Sequence, residues 1–360
     1  MRKYTNSETC LIWLDSFVNL EYKHKQEIFK LIDGKENIKA LIEGAKDYIV
    51  SNVGEEDFEL LKNGANKEYL SLLFSGFERK GVTPITILST EYPEKLKSTP
   101  IPPLVLYTMG DLSLLNSKCF AVVGSRKSIP LTISLTEEYA KTLSKAGFTL
   151  VTGIAEGVDK TVLETALSSN GKVISVIAGG FSNVYPKNHA SLLERVSKEG
   201  LVISEHPDGV IPKPYMFPLR NRIIAGLSDG VLVCSAGKKS GTIYTAEYAE
   251  EYSRNVFAIP YSVNVTSGEG CNDLIKRGAI LTDNPSDILI YYGLEEVSCE
   301  KPQTTLEEDQ ILKYLENGEA HIEKICKALS KKVYEITPLI ASLEIKGYIT
   351  QAGINVYTLV

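Results

Sequence analysis

The pattern of hydrophobic and polar positions changes twice along the chain. In residues 1–80, apolar side chains such as Leu11 and Leu14 recur at helical spacing, which predicts a small domain of short helices. From Cys119 onward, short apolar runs alternate with segments of helical periodicity. Strands this apolar are buried on both faces, so the middle of the chain is predicted to form a doubly wound, mostly parallel α/β sheet covered by helices.

The predicted strands of this sheet are six apolar runs with a candidate seventh at the edge. In chain order they are CFAVVG, TLVTG, VISVIAGG, LVISE, GVLVC and VFAIP, with AILT as the candidate edge strand. Helical periods separate the first four runs, and they cover Leu131 to Ala146, Lys160 to Ser169 and His189 to Lys198. Alternation of this kind is typical of a Rossmann-like fold.

The third pattern begins after a short proline-containing linker at Pro302. Two or three helices and a final hairpin, GYITQAGINVYTLV, follow in the order of a winged helix. Acidic residues outnumber basic ones in this segment, so protein contact is favoured over phosphate contact there. We therefore predict a helical domain in residues 1–80, a Rossmann-like domain in 81–300 and a winged-helix-like domain in 301–360.

Bulk composition excludes several classes of protein. The 360 residues carry a formal net charge of -6, so any polyanion site must be a local cluster of cations. Six cysteines show no CxxC spacing, and with four histidines they complete no zinc pattern. The polar start MRKYTNSETC is unlike a signal peptide, and no apolar run reaches the roughly 20 residues of a membrane helix. A cytoplasmic protein without membrane contact is expected.

Candidate chemistry lies at the ends of the predicted strands, where open parallel sheets bind ligands. Glycines admit a close approach of backbone amides, helix N-termini attract anions, and arginine can grip phosphate with two hydrogen bonds. The candidate phosphate-binding residues are Gly124, Ser125, Arg126, Gly153, Gly157, Gly179, Gly180, Lys187, Arg220, Asn221, Arg222, Ser240, Gly241 and Thr242. Their convergence on one sheet edge predicts a groove lined for phosphates.

The run FPLRNRIIAGL, residues 217–227, is the most informative of these pieces. It sets Arg220, Asn221 and Arg222 before apolar residues at helical spacing, which predicts that the three lie in the first turn of a helix. The helix dipole disfavours cations there, so we expect them to face an anion bound from outside. The alternative is a charged, solvated helix start.

The sequence offers no evident machinery for catalysis. It lacks GxGxxG, GxxxxGK[ST], a Ser-His-Asp set and a metal cluster. His189 and His206 are interpreted as polar surface residues. A helix N-cap is the expected role of Asp159, and a loop-closing acceptor that of Glu205, in preference to general bases. The groove is therefore predicted to bind a ligand without cutting it.

Eight strings in a fixed order carry a resemblance to a known family. They are ITILSTEYPEKLKSTPIPPLVLYTMGDLSLL, VVGSR, TGIAEGVD, VYPKN, SEHP, FPLRNRIIAGLS, AGKKSGTIYTAEYA and GCNDLIKRGA. On these strings the chain resembles the DNA-processing protein A family, also called DprA or Smf. The resemblance implies a non-enzymatic dimer that needs no cofactor, binds single-stranded DNA, displaces single-strand-binding protein and loads the RecA recombinase during natural transformation.

Carried over by position, the family's DNA contacts fall on Arg126, on Lys187 and on the Arg-Asn-Arg motif of residues 220–222. The resemblance also implies a SAM-like N-terminal domain and a variable winged-helix tail. This chain departs from the family pattern in three places. Leu163 stands where His is common, His189 stands where Asn is usual, and the segment 179–183 lacks the family's acidic residue.

Two other functions remain open at this level. Lysine-decarboxylase-like phosphoribohydrolases carry PGGxGTxxE on a related sheet. Here the stretch AGKKSGTIYTAE has Thr245 where the glutamate should be, and Glu247 comes two residues late. A protein scaffold with a vestigial groove is the third possibility. For single-stranded DNA, the aromatic residues Tyr185, Tyr215 and Phe217 are candidates for base stacking.

Overall fold

The computed structural model describes residues 2–32, 37–294 and 304–359. Contacts divide the chain into two compact units, residues 1–296 and 297–360. One continuous apolar core runs from the N-terminal helices into the sheet of the first unit, and the second unit has a core of its own. The separation of residues 1–80 from 81–300 into distinct domains stays a prediction.

The N-terminal segment folds into short helices, as its periodicity predicts. Their bounds are α1 (Asn6–Asp15), α2 (Tyr22–Phe29), α3 (Ile38–Gly44), α4 (Lys46–Val53), α5 (Glu55–Gly64) and α6 (Lys67–Lys80). Trp13 is fully buried among them, and its indole Nε1 donates a 2.9 Å hydrogen bond to the carbonyl of Gly64. The single tryptophan of the chain thus ties α1 to the end of α5.

The central sheet has nine strands among the described residues. Their bounds are β1 (Thr83–Thr86), β2 (Val105–Gly110), β3 (Cys119–Val123), β4 (Thr149–Thr152), β5 (Lys172–Ile177), β6 (Leu201–Ser204), β7 (Gly230–Val233), β8 (Asn255–Ala258) and β9 (Ile280–Leu281). The spatial order is β1-β2-β6-β5-β4-β3-β7-β8-β9. In that order, the strands from β6 to β9 pair in parallel, which confirms the predicted fold class, while β1 and β2 add an antiparallel edge.

Helix α7 (Glu94–Lys97) lies between β1 and β2. The parallel strands are connected by α8 (Pro130–Lys145), α9 (Val158–Ser168), α10 (Ala190–Glu199), α11 (Met216–Leu227), α12 (Thr242–Glu251) and α13 (Glu269–Lys276), and α14 (Pro285–Tyr291) follows β9. The chain runs outward from β3 to β6, and after α11 it returns to place β7 on the other side of β3. The loops after β3 and β7 therefore diverge, which creates the crevice where such sheets bind ligands.

The second unit has the element order of a winged helix. It contains α15 (Leu306–Leu315), β10 (Ala320–His321), α16 (Ile322–Leu329), α17 (Val333–Ile345), β11 (Ile349–Gly353) and β12 (Val356–Leu359). Ile311, Ile325, Ile336 and Leu343 are fully buried in its core. Glu308, at the start of this unit, is 2% exposed and accepts two hydrogen bonds from Lys346 Nζ, at 2.8 and 2.7 Å.

Candidate functional site

A cleft of about 700 Å³ opens between the loops that follow β3 and β7. A smaller cavity of about 290 Å³ adjoins it, and Arg126, Phe217 and Arg220 line both. We call the two together the switch-point cleft. Of the predicted binding residues, the larger part is lined by Gly124, Ser125, Arg126, Arg220, Asn221, Ser240, Gly241 and Thr242, and the smaller by Gly179 and Gly180. The structure thus brings most of the predicted strand ends to one place.

Arg126 is the most accessible of the cleft's predicted cations. It follows β3 closely, its side chain is exposed, and its guanidinium carbon lies 5.1 Å from the ring centroid of Phe217. That ring in turn meets Tyr185 edge-on, with centroids 5.7 Å apart. Tyr185 is 55% exposed, so a cation and an open aromatic face stand side by side at the mouth of the cleft.

Arg220 is buried behind this rim, at 8% exposure. Its Nη1 donates to the carbonyl of Val176, near the end of β5. Burial lowers the pKa of Arg220 to about 10, and the carboxylate of Asp159 opposes that shift. The guanidinium therefore stays cationic at neutral pH. Arg220 lines both parts of the cleft, so its charge acts on whatever occupies that space.

Gly153 makes this arrangement possible. A Cβ atom there would lie 2.4 Å from Asp159 Oδ2 and 2.8 Å from Arg220 Nη2, closer than real contacts allow. Asp159 is not the expected N-cap, because Gly157 occupies that position and Asp159 lies in the first turn of α9. Its carboxylate accepts hydrogen bonds from Thr152 Oγ1 and the Ala155 amide, both at 3.1 Å. Burial raises the pKa of Asp159, and Arg220 counteracts the rise.

The structure revises the expectation for Arg222. Its side chain is 3% exposed and forms an ion pair with Glu205, away from the cleft. Residues two apart on a helix point in nearly opposite directions, so Arg220 and Arg222 cannot serve the same groove. The helix also begins at Met216, which places both arginines beyond its first turn and removes the dipole argument. We leave Arg222 out of the proposed binding site.

The crowded glycines pack protein against protein rather than against a ligand. Gly124, Gly157, Gly179 and Gly180 each lack room for a Cβ atom. A Cβ atom would lie 2.5 Å from Val158 Cγ2 at Gly124 and 2.4 Å from the Ser125 carbonyl oxygen at Gly157. It would lie 2.8 Å from the Val210 carbonyl oxygen at Gly179 and 2.7 Å from the Gly209 amide nitrogen at Gly180. Gly241 differs because the space beside it is open. Apart from its own sequence neighbours, no described residue comes within 4 Å of the position that a Cβ atom would take. Close backbone approach by a ligand is therefore open at Gly241.

The predicted hydroxyl and amide donors hold the loops of the cleft together. The Ser125 amide donates to Ser235 Oγ at 3.1 Å, which joins the loops after β3 and β7. Ser240 Oγ accepts from the Thr242 amide at 3.2 Å. Asn221 Nδ2 donates to the Gly241 carbonyl at 3.2 Å and so fixes α11 against the start of α12. These groups shape the cleft more than they reach into it.

Lys187 and His189 belong to a short 3-10 turn beside the smaller cavity. Lys187 is exposed but does not line the cleft. The expectation that His189 lies at the surface is wrong. Its side chain is only 3% exposed, and its Nδ1 lies 2.8 Å from the carbonyl oxygen of Ile154. His206 is half-buried, and burial lowers its pKa.

Sequence reasoning missed two features of the cleft. Lys127 is exposed and lines both parts of the switch-point cleft. Its position directly after Arg126 in the sequence could have identified it as a second cation of the same loop. Pro212 and Pro214 form a wall through the loop after β6. That loop returns over the sheet edge because the Gly180 amide donates to the Val210 carbonyl at 2.9 Å, a long-range contact with no local signature.

The residues of the enzyme alternative are not arranged for that reaction. Thr245 lines the cleft, whereas Glu247 is exposed and lies 3.9 Å from Arg277, outside the lining set. The described residues hold no group of three or more His, Cys, Asp or Glu placed to bind a metal ion. Within the same ranges, no helix combines the length and the apolar composition that crossing a membrane requires.

Comparison with known proteins adds three findings. The family model described as DNA recombination-mediator protein A matches residues 83–293. The DNA processing protein DprA of Bacillus subtilis is 36% identical over 231 residues, which cover 63% of this chain and 78% of that protein. The X-ray structure of DNA processing protein A from Streptococcus pneumoniae superposes with a TM-score of 0.69 at 30% identity, covering 80% of this chain and 98% of that one.

A second solved structure is similar over a shorter range. It is described as giving insights into the unique single-stranded DNA binding mode of DNA processing protein A from Helicobacter pylori. It superposes with a TM-score of 0.54 at 28% identity and covers 59% of this chain and 97% of that one. Both similarities support the Rossmann-like fold on which the switch-point cleft is built.

Proposed function

Because the chain belongs to the DNA recombination-mediator protein A family, we propose that it binds single-stranded DNA in the switch-point cleft and acts as a recombination mediator. The observation that carries the proposal is the convergence of Arg126 and Arg220 on one cleft, in a chain whose net charge is negative. Because the protein as a whole is acidic, two cations at one cleft form a local positive site for an anion rather than part of a general basic surface.

Strand phosphates would lie along the exposed cations of the rim. Arg126 and Lys127 are adjacent and exposed, and Lys187 lies on the neighbouring turn. Buried Arg220 supplies a fixed positive charge behind them, and Gly241 leaves room for a close approach of the backbone. Contacts of this kind position a strand without reading its sequence, so little sequence preference is expected.

Bases would stack on the aromatic side chains of the rim. Tyr185 presents a 55% exposed side chain, and Phe217 supports it from the cleft floor. Tyr215 is 64% exposed on the preceding loop and offers a further face. Stacking of this type is open to any unpaired base, but a duplex hides its base faces. The pairing of cation and aromatic therefore favours single-stranded over double-stranded DNA.

The remaining parts of the proposal rest on the family resemblance. The chain would act in the cytoplasm as a homodimer without catalysis or a cofactor, load RecA onto incoming DNA and meet single-strand-binding protein there. Leu281 of β9 and Ile290 and Tyr291 of α14 are exposed apolar side chains, which suit a contact with a second copy. The acidic winged-helix unit suits contact with proteins more than with DNA.

The decisive experiment is a titration of labelled single- and double-stranded oligonucleotides with the wild type and Arg126→Ala. We expect wild type to prefer the single strand and Arg126→Ala to lose about tenfold or more in affinity, since hydrogen bonds to charged groups contribute about 1.5–3 kcal/mol. Lys62→Ala on α5 is the matched control, because it removes one exposed positive charge far along the chain from the cleft. Equal losses in the two variants would contradict the proposal.

A further inference from the structure

The 3-10 turn at Lys187–His189 contains a histidine whose two ring nitrogens both face oxygen atoms. His189 Nδ1 lies 2.8 Å from the carbonyl oxygen of Ile154. On the other side of the ring, Nε2 lies 2.9 Å from Glu156 Oε1. The His189 side chain is 3% exposed, whereas the Glu156 side chain is 46% exposed.

A neutral imidazole cannot satisfy both contacts. One of its nitrogens carries a proton and the other presents a lone pair. If the proton is on Nδ1, for donation to Ile154, the lone pair of Nε2 points toward a carboxylate oxygen. Nε2 makes no aligned hydrogen bond among the described residues, so its contact with Glu156 is electrostatic and depends on the sign of the charge on the ring. Only the imidazolium makes both contacts favourable.

The carboxyl group of Glu156 is held in its ionised form. Glu156 also accepts a 2.8 Å hydrogen bond from Asn188 Nδ2. That bond, followed by the positive charge of His189, lowers the pKa of Glu156 below its ordinary value. Glu156 is therefore ionised, and its negative charge favours a proton on the ring nitrogen that faces it.

The elements packed against this pair carry further charged groups. They are Lys160 and Glu164 of α9, Lys187 of the turn itself, and the α10 residues Glu194, Arg195, Lys198 and Glu199. The α10 groups pair among themselves, Arg195 with Glu199 at 3.0 Å and Lys198 with Glu194 at 2.7 Å. Lys160 acts on Glu156 in the same direction as the histidine, but more weakly.

Glu156 connects this pair to the binding site. It lines the smaller cavity of the switch-point cleft together with Arg126 and Lys127. An uncompensated carboxylate at that position repels phosphate and weakens the field of the rim cations, whereas a carboxylate paired with imidazolium does neither.

We propose that His189, in its doubly protonated form, is a positioning residue that ties the Lys187 turn to the loop after β4 and neutralises Glu156 at the edge of the DNA-binding cleft. Loss of this positive charge would leave Glu156 uncompensated and weaken the binding of single-stranded DNA by this chain. The inference rests on the proposed function.

The test measures the affinity for an oligothymidylate from about pH 5.5 to about 8.5 at fixed ionic strength, the interval in which imidazole groups change charge. Wild-type affinity should fall about three- to tenfold across it, the effect of one partly solvated unit charge. In His189→Asn and in Glu156→Gln the pH dependence should disappear, and Glu156→Gln should bind at the alkaline end at least as tightly as wild type. NMR of the imidazole resonances, assigned by comparison with His189→Asn, reads the protonation of the ring without DNA.

The outcomes separate the two proposals. An unchanged pH profile in both variants, or a singly protonated ring at the acidic end of the titration, overturns the role of His189 and leaves DNA binding standing. Absence of binding at every pH, with Arg126→Ala indistinguishable from wild type, overturns the proposed function itself. The NMR titration still decides the proton state of His189 in that case.

Discussion

The two sides of α11 each carry a buried arginine, and the two arginines face different surroundings. Arg220, on the cleft side, faces an open space shared with exposed Arg126. Arg222, on the other side, pairs with Glu205 near the N-terminal helices, and its field reaches Tyr22 and Tyr92. Both are buried, so burial does not separate an arginine proposed to bind from a structural one. The distinction lies in whether a protein carboxylate already neutralises the charge in direct contact.

Loss of the structural arginine should have the largest effect. Arg222→Ala leaves Glu205 as a largely buried, unpaired charge, and breaking such a pair costs about 3–5 kcal/mol in the free energy of unfolding. Urea denaturation followed by circular dichroism measures this cost. Molecules that remain folded should bind single-stranded DNA as wild type does, and a selective loss of binding with normal stability would reverse the assignment of the two sides.

Loss of the exposed cleft cation should show the opposite pattern. For Arg126→Ala we expect the roughly tenfold or greater loss of affinity given above and a change of less than about 0.5 kcal/mol in stability, because the side chain is exposed. Arg222→Ala should thus lose stability but keep its affinity for DNA, and Arg126→Ala should lose affinity but keep its stability. The comparison fails if both variants lose stability and affinity together.

Much of this comparison is readable in the sequence, but the direction of each arginine is not. The apolar runs predict β3 to β8 because buried parallel strands tolerate few polar residues, and the parallel arrangement then places the loops after them at one edge. The orientation of Arg222 depends on the helix beginning at Met216 and on Glu205, which follows a strand 17 residues earlier in the chain.

Other parts of the fold lack a local signal for similar reasons. The predicted strands begin only at Cys119, yet β1 and β2 precede them at the antiparallel edge of the sheet. Pro84 lies within β1, where an edge strand tolerates proline. The sequence pattern assigns the crowded glycines to a ligand, since only the folded chain shows that protein atoms fill the space. The local sequence shows which chemical groups are present, and long-range contacts decide which atoms those groups face.

The winged-helix unit contains a further internally neutralised charge, which extends the comparison to pH. Hydrogen bonding to Lys346 lowers the pKa of Glu308 to about 2, against an ordinary value of 4.5. A carboxyl group whose pKa falls on folding stabilises the folded state above pH 4.5, and the contribution is lost as pH decreases from 4.5 toward about 2. We expect a loss of about 2 kcal/mol in this unit over that window.

The measurement is the acid unfolding of the full chain, followed by NMR signals of residues in the winged-helix unit. Glu308→Gln should remove most of the dependence between pH 4.5 and about 2, because the amide does not titrate. A profile identical to that of wild type would show that this pair does not govern the acid stability of the unit.

The smallest expected effect concerns the aromatic rim. Tyr185→Ala should weaken binding of single-stranded DNA by about 1 kcal/mol, the lower end of the range for one stacked base, because Tyr185 meets Phe217 only edge-on and is otherwise open. Fluorescence anisotropy with an oligothymidylate measures it. Tyr185→Phe, which keeps the ring, should bind as wild type, and equal losses in the two variants would remove stacking from the account.

The central claim is that the cations of the switch-point cleft, with Arg126 the most exposed of those predicted from the sequence, are open to phosphates. The dependence of log Kd on log salt concentration tests it most directly, since each phosphate neutralised on a single strand contributes about 0.7 to the magnitude of the slope. The account predicts that Arg126→Ala reduces this magnitude by about 0.7, while Lys62→Ala leaves it unchanged. An Arg126→Ala slope equal to that of wild type would contradict the claim.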